Sequence, residues 1–201
     1  MKKLNYFAEE EQQMEENFQN FRTRITKPIC QMLDKLKITP NGVSLFGFAL
    51  LIGFIVYARS APAIASIFLF SHVVVDGIDG ALARYQKREN NAGAFLDIML
   101  DHSGMVAVTI VLVTIGLLNS LWAITYTYLY TILIIFIIIR NSIGKPIKKV
   151  FRSKYVLYCT YGLWAFFNLN ITTESIILFS ALMVPPLYKS YTTLYKHLKE
   201  K

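Results

Sequence analysis

Charged residues and cysteines are scarce in this chain of 201 residues. Only 17% of the residues are charged, whereas 54% are hydrophobic, a balance typical of a membrane protein with several spans. The two cysteines, Cys30 and Cys159, show neither CxxC nor metal-type spacing, so neither is expected to be catalytic. The first eleven residues contain no long apolar run, and no cleavable signal peptide is expected.

Six apolar segments predict six membrane-spanning helices. They cover residues 43–58, 62–83, 92–118, 121–139, 155–169 and 171–187. A spanning helix needs about 20 mainly apolar residues, so the first and fifth segments must include flanking residues. The sequence therefore predicts an all-α integral membrane protein in which residues 43–201 form a six-helix transmembrane domain.

The basic residues are distributed very unevenly between the two sides of this arrangement. Twenty of the 21 lysines and arginines precede the first segment, follow the second, lie between the fourth and fifth, or follow the sixth; only Arg59 falls on the other side. Since loops rich in lysine and arginine stay in the cytoplasm, both termini are expected there.

Residues 1–42 form an N-terminal arm ahead of the first segment. Phe18, Phe21, Ile25 and Ile29 recur at helical spacing, and Pro28 argues against one unbroken helix. An amphipathic basic helix beside a span either lies in the headgroup plane or packs on the cytoplasmic ends of the spans. Both alternatives fit the sequence, and either makes the arm cytoplasmic or interfacial.

Four aspartates occupy the second and third apolar segments: Asp76, Asp79, Asp97 and Asp101. A carboxylate at membrane depth is costly and usually marks an ion, proton or substrate site. The spacings of three and four residues put each pair on one helix face, and an antiparallel hairpin would bring all four together. Because no cysteine or histidine is regularly spaced among them, Mg²⁺ or Mn²⁺ is favoured over zinc. Four carboxylates can hold two ions, the geometry that serves phosphoryl transfer.

The residues around the aspartates carry a resemblance. They read Asp76-x2-Asp79-Gly80-x2-Ala83-Arg84-x8-Gly93-x3-Asp97-x3-Asp101, which resembles the signature of the CDP-alcohol phosphotransferase (CDP-alcohol phosphatidyltransferase) family at every fixed position. The six spans, the cytoplasmic termini and the interfacial N-terminal helix are also similar to that family. The resemblance implies transfer of a substituted phosphate from a CDP-linked donor, often CDP-diacylglycerol, to an alcohol with release of CMP. It also implies a homodimer.

The resemblance also implies roles for single residues. Asp76, Asp79 and Asp97 would be the core metal ligands. Asp101 would contribute to a second metal and act as the general base on the acceptor hydroxyl. The cytidine and pyrophosphate would be contacted by Gly80, Ala83 and Arg84, with Gly93 making room on the opposing helix.

Other residues are weaker candidates. His72 and His102 lie near the aspartates, although a lone histidine in a helix is more often a packing or hydrogen-bonding residue. Asn41 resembles part of a family stretch near the nucleotide pocket. A basic cluster either binds a phosphorylated acceptor or sets topology and attracts anionic lipids. It consists of Lys145, Lys148, Lys149 and Arg152.

Two other function classes compete with a transferase of phospholipid biosynthesis. A divalent-cation or proton transporter would use intramembrane aspartates, but it has no need of the Gly80-x2-Ala83-Arg84 element. An inactive scaffold of the same fold would tolerate loss of an aspartate, whereas all four are present. The expected partners are a CDP-linked donor, an alcohol and membrane lipids, and no nucleic acid.

Overall fold

The computed structural model of the chain describes residues 25–145, 147 and 153–199, with Asn91 described by its backbone alone. These residues form seven α-helices and, within the described ranges, no strand. The helices are α1 (residues 25–35), α2 (Pro40–Tyr57), α3 (Pro62–Tyr85), α4 (Asn91–Thr114), α5 (Ser120–Ser142), α6 (Lys154–Phe167) and α7 (Thr172–Lys199).

Polar caps and prolines explain where the helices begin. The Thr39 side chain accepts a hydrogen bond from the amide of Gly42, and Pro40 occupies the first turn of α2. Asn90 caps α4 by accepting a 2.7 Å hydrogen bond from the amide of Gly93. Such side chains satisfy amides that have no partner within the helix. The start of α4, which carries two of the four aspartates, is therefore fixed locally.

The helices pack into one bundle. α2 packs along α3, and α5 packs along α7. α4 contacts α2, α5 and α6, while α6 also contacts α3 and α7. The core contains Phe54 and Tyr161, whose rings meet edge to face, and the Tyr161 hydroxyl donates a 2.9 Å hydrogen bond to the carbonyl of Ala58. This contact joins α6 to the end of α2.

Four of the helices, α2 to α5, are long and apolar enough to cross a membrane. α6 has 14 residues, fewer than the roughly 20 that a span needs. α7 has 28 residues, contains Pro185 and Pro186, and continues to Lys199, past the predicted end at residue 187. The prediction of an all-α, multi-pass membrane protein is confirmed, whereas the number six remains a prediction.

The helix α1 has two different sides. Cys30 is fully buried and, with Leu33, packs against Val43, Ala81 and Leu82 of the bundle. The other side exposes Ile25, Ile29, Met32 and Leu36. One of the two predicted positions, packing on the bundle, is therefore present at Cys30 and Leu33. Contact of the exposed apolar side with lipid headgroups stays a prediction. Phe18 and Phe21, which the predicted helix included, lie outside the described residues.

Candidate active site

Three carboxylates meet between α3 and α4. One oxygen from each of Asp76, Asp97 and Asp101 lies within 4.8 Å of the others. Asp97 is exposed, and the side chains of Asp76 and Asp101 are 20% and 30% exposed. At 1.5 Å per residue, Asp76 lies about 14 Å of helix before Tyr85, where α3 ends. The cluster is therefore inside the bundle and open to one side.

The two helices that supply these carboxylates do not pack directly on each other. Within the described residues, no Cα atom of α3 lies within 8 Å of a Cα atom of α4. Both helices instead contact α2 and α6. The carboxylates of the predicted hairpin thus meet across a cleft, without direct packing of α3 on α4.

Asp79 lies outside this group of three and is held by two hydrogen bonds. Its Oδ2 accepts a 2.6 Å hydrogen bond from the hydroxyl of Ser44 on α2, and its Oδ1 accepts one of 2.5 Å from the amide of Gly80. The side chain is buried. Of the four predicted site aspartates, three come together and the fourth joins α3 to α2.

Lys154 completes the cluster from the first residue of α6. Its Nζ lies 2.5 Å from Oδ1 of Asp101 and 3.6 Å from Oδ2 of Asp76, and the residue is only 3% exposed. Reasoning from the sequence missed this residue, because Lys154 ends a run of basic residues that reads as a topology signal. Its position directly before an apolar helical segment is the signal that could have singled it out.

Two of the glycines near the aspartates, Gly93 and Gly77, have different surroundings. A Cβ on Gly93 would lie 3.5 Å from Oδ1 of Asn90 and 3.9 Å from Oδ1 of Asn41, so the exposed Asn41 of α2 is a neighbour of Gly93. Gly77 has no neighbouring atom within 4 Å of its Cβ position. Open space therefore adjoins α3 at Gly77, whereas Gly93 is bordered by two asparagine side chains.

Gly80, Ala83 and Arg84 follow Asp76 along α3 toward its end at Tyr85. The side chains of Ala83 and Arg84 are half-buried. Along α3, the predicted nucleotide-contacting residues therefore lie between Asp76 and the end of the helix at Tyr85.

The two histidines make hydrogen bonds within the bundle. Nδ1 of His72 lies 3.0 Å from the carbonyl oxygen of Gly47 on α2. His102 stacks on Tyr130, and its Nε2 lies 3.2 Å from the hydroxyl of Thr131 on α5. Both contacts fit the packing alternative for a lone histidine in a helix.

Lys145 is the one member of the predicted basic cluster that falls in the described part of the chain. Its side chain is exposed, and its carbonyl accepts a 2.7 Å hydrogen bond from Nε of Arg140. Lys148, Lys149 and Arg152 lie outside the described residues. The acceptor role of this cluster stays a prediction.

Comparison with known proteins identifies the family. The sequence profile of the CDP-alcohol phosphatidyltransferase family matches residues 37–187, a stretch that includes α2 to α6, the whole aspartate motif and Lys154. The chain belongs to the CDP-alcohol phosphatidyltransferase family. The resemblance seen in the sequence is thereby confirmed.

Curated proteins match this chain over short stretches. The chain is 43% identical to the inner membrane protein YnjF of Escherichia coli over 74 residues, which are 35% of this chain and 34% of that protein. It is 38% identical over 65 residues to the bifunctional IPC transferase and DIPP synthase of Aquifex aeolicus, covering 32% of this chain and 15% of the enzyme. The match thus spans about a third or less of either relative.

A solved structure shares the fold. Phosphatidylinositol phosphate synthase (PgsA1) of Mycobacterium tuberculosis, in complex with manganese and citrate, superposes with a TM-score of 0.70 at 16% identity. The superposition covers 85% of this chain and 88% of that protein. The bundle of this chain therefore has the same fold as that enzyme.

The donor set of the cleft fits a hard divalent cation. Carboxylate oxygens are the ligands that Mg²⁺ and Mn²⁺ prefer, and three carboxylates this close together need a nearby positive charge. In this structure the Lys154 ammonium supplies one such charge. The geometry therefore brings together three of the four motif aspartates, Asp76, Asp97 and Asp101.

Proposed function

We propose that the chain is an integral-membrane CDP-alcohol phosphotransferase of phospholipid biosynthesis. It transfers a substituted phosphate, phosphatidyl from CDP-diacylglycerol, to an alcohol and releases CMP. The observation that carries this proposal is the approach of Asp76, Asp97 and Asp101 to within 4.8 Å on the motif of a family of such transferases.

Two Mg²⁺ or Mn²⁺ ions would be held by Asp76, Asp97 and Asp101, with Asp79 as the fourth ligand. When bound, such ions neutralise charge on the transferred phosphate and orient the reacting oxygens. The hydrogen bond from Ser44 to Asp79 keeps the fourth carboxylate beside the cleft and selects its orientation.

The protein's own groups would handle the proton and the leaving nucleotide. The acceptor oxygen forms a bond to the donor's lipid-bearing phosphorus, the bond from that phosphorus to the CMP oxygen breaks, and Asp101 takes the hydroxyl proton. Arg84 would pair with the pyrophosphate as a bidentate donor, while Gly80 and Ala83 let the cytidine approach α3. Gly93 and Asn41 would border the nucleotide from α4 and α2.

The membrane arrangement follows from charge and from the fold. Six spans, with α6 and α7 as the fifth and sixth, would put both termini and the open end of the cleft in the cytoplasm. The exposed apolar side of α1 would lie in the headgroup layer. A lipid donor could then keep its acyl chains in the bilayer while its nucleotide enters the cleft.

The acceptor and the assembly are the finer parts of the proposal. Exposed Lys145, with Lys148, Lys149 and Arg152 following it in sequence, supports an acceptor that carries a phosphate. Family membership supports a homodimer. Neither feature alters the reaction assigned to the aspartates.

The test is CMP release by the purified protein in detergent micelles containing lipid. The assay would combine CDP-diacylglycerol and Mg²⁺ or Mn²⁺ with glycerol phosphate, serine, inositol, inositol phosphate or choline. We expect CMP release that depends on one acceptor and on the metal, and that is abolished in Asp101→Asn. The matched control is Asp34→Asn, because this exposed aspartate lies outside the cleft and its replacement keeps an oxygen for the hydrogen bond from Gln86.

Failure of every acceptor, with CDP-choline also replacing the lipid donor, would overturn the transferase assignment. Proteoliposomes would then be tested for uptake of Mn²⁺ that depends on Asp76. Such uptake would identify a cation transporter.

A further inference from the structure

Lys154 is held against the aspartate cluster from outside the family motif. Its ammonium contacts carboxylates of both α3 and α4, at 3.6 Å from Asp76 and 2.5 Å from Asp101. The residue is 97% buried, since only 3% of its surface is exposed. A buried charge is costly unless it is paired, so the two carboxylates and Lys154 depend on one another.

The backbone that carries Lys154 is anchored. The preceding residue, Ser153, is 1% exposed, and its hydroxyl lies 3.0 Å from the hydroxyl of Tyr126 on α5. α6 begins directly afterwards and packs on α3, α4 and α7. The ammonium can therefore leave the carboxylates only by rotation of the flexible lysine side chain. The Tyr155 ring, with its centroid 5.1 Å from Nζ, offers the ammonium a second favourable contact.

The position of the ammonium conflicts with that of a metal ion. Oδ1 of Asp101 is within hydrogen-bonding distance of Nζ, so an ion that approaches this oxygen from the same side competes with the ammonium. A divalent ion beside Asp76 and Asp101 would also repel the ammonium, strongly so in a partly desolvated site. Occupation by the metal and pairing with Lys154 are thus alternatives.

We propose that Lys154 is a built-in counter-ion that holds the aspartate cluster together in the metal-free protein and is displaced when a divalent metal binds. The inference rests on the proposed metal site, but it concerns a residue that lies outside the aspartate motif. It predicts that Lys154 lowers the affinity of the site for the metal and stabilises the folded protein when no metal is bound. Lys154 is in this sense a positioning residue for the carboxylates.

The first measurement is Mn²⁺ affinity in Lys154→Met, which removes the charge and keeps an unbranched side chain. Titration would be followed by calorimetry and by the loss of the free Mn²⁺ spin-resonance signal. Because one repelling charge a few ångströms away disappears, we expect Lys154→Met to bind Mn²⁺ about ten-fold more tightly. Lys154→Arg is the matched control, since it keeps the charge and should bind Mn²⁺ within about three-fold of the wild-type protein.

Thermal unfolding gives the second measurement. Metal-free Lys154→Met should unfold at a lower temperature than the metal-free wild-type protein, because three carboxylates lose their counter-ion. Saturation with Mn²⁺ should remove most of that difference. A counter-ion role requires this dependence on metal, whereas a packing role would destabilise both forms equally.

Labelling of the wild-type protein needs no substitution and applies even if Lys154→Met does not fold. An amine-reactive reagent followed by peptide mass spectrometry should modify Lys154 several-fold faster with Mn²⁺ than without, because the displaced ammonium leaves its buried position. Lys87, exposed between α3 and α4, should react at the same rate in both conditions. Unchanged or slower labelling of Lys154 would overturn the inference.

The two proposals fail in different ways. If the wild-type protein does not bind Mn²⁺, or binds it equally after Asp76→Asn, the proposed metal site is wrong. If Mn²⁺ binding requires Asp76 but Lys154→Met binds the ion with unchanged or weaker affinity, the metal site stands and the counter-ion role of Lys154 is refuted.

Discussion

Ser44 on α2 donates a 2.6 Å hydrogen bond to Oδ2 of Asp79 on α3. This contact directs the one motif aspartate that does not join the other three. It also couples the orientation of Asp79 to the packing of α2 along α3. Ser44 is therefore expected to contribute to the site by orienting Asp79, although the motif does not include it.

Replacing Ser44 tests this coupling. Ser44→Ala removes a hydrogen bond to a charged group, a contribution of about 1.5–3 kcal/mol, and leaves Asp79 without one of its fixed contacts. We expect about a ten-fold or greater loss of CMP release at low Mn²⁺ concentration, partly recovered at high concentration. Ser44→Thr keeps the hydroxyl and should retain most of the activity. Equal activity of the alanine and threonine variants would show that the contact does not matter for function.

Removal of one clustered carboxylate should abolish tight metal binding. In Asp76→Asn, an oxygen ligand becomes neutral while Asp97 and Asp101 remain. We expect Mn²⁺ affinity to fall by at least the roughly 10- to 100-fold that is typical of losing a supporting residue of a metal site. Spin-resonance titration measures this loss, and Asp34→Asn serves as the control with unchanged affinity. Tight binding that persists in Asp76→Asn would show that the metal binds outside this cluster.

Two glycines should respond differently to alanine. At Gly93 a Cβ meets only ordinary contacts, at 3.5 Å or more, and alanine is the better helix former by about 0.5–1 kcal/mol. Gly93→Ala should therefore keep the unfolding temperature or raise it, while the KM for the CDP-linked donor rises because the methyl group enters the proposed nucleotide space. An unchanged KM would show that Gly93 does not border the donor site.

Gly53 supplies the matched packing control. A Cβ there would lie 2.8 Å from the ring of Phe68, so either this ring or the helices α2 and α3 would have to shift. Overpacking of this kind costs about 1–3 kcal/mol. We expect Gly53→Ala to lower the unfolding temperature with little change in the KM for the donor. Together the two variants separate space needed by a ligand from space needed by the fold.

Attachment of α1 can be tested through Gln86. Its Nε2 donates hydrogen bonds of 2.9 Å to Oδ1 of Asp34 and 3.0 Å to the carbonyl of Ile38. Gln86→Glu keeps the side-chain size, removes both donors and places two carboxylates side by side. We expect faster hydrogen exchange at the amides of residues 36–38, measured by mass spectrometry.

The double variant Gln86→Glu with Asp34→Asn is the control for this prediction. It restores one donor and one acceptor between the two positions, so exchange should slow again. Fast exchange in the double variant would mean that the contact to Ile38, and not the one to Asp34, holds α1 in place.

Local sequence patterns were sufficient to predict where the helices begin. Apolar segments, bounded by residues such as Pro62, Asn90 and Asn119, predicted six helices whose starts agree closely with α2 to α7. Helix ends were less predictable. α7 continues past residue 187 because the buried face that includes Ser190 and Leu194 is extended by packing against α5, and packing between distant segments leaves little trace in local hydropathy.

The sequence by itself determined that Asp97 and Asp101 share one face of α4, since residues four apart in a helix are neighbours. Tertiary structure alone decided three further features. α3 and α4 are separated by a cleft, Asp79 is turned toward Ser44, and Lys154 reaches Asp76 and Asp101 from α6. Helical periodicity defines the face on which a side chain lies, but the partner it meets there depends on how distant helices pack.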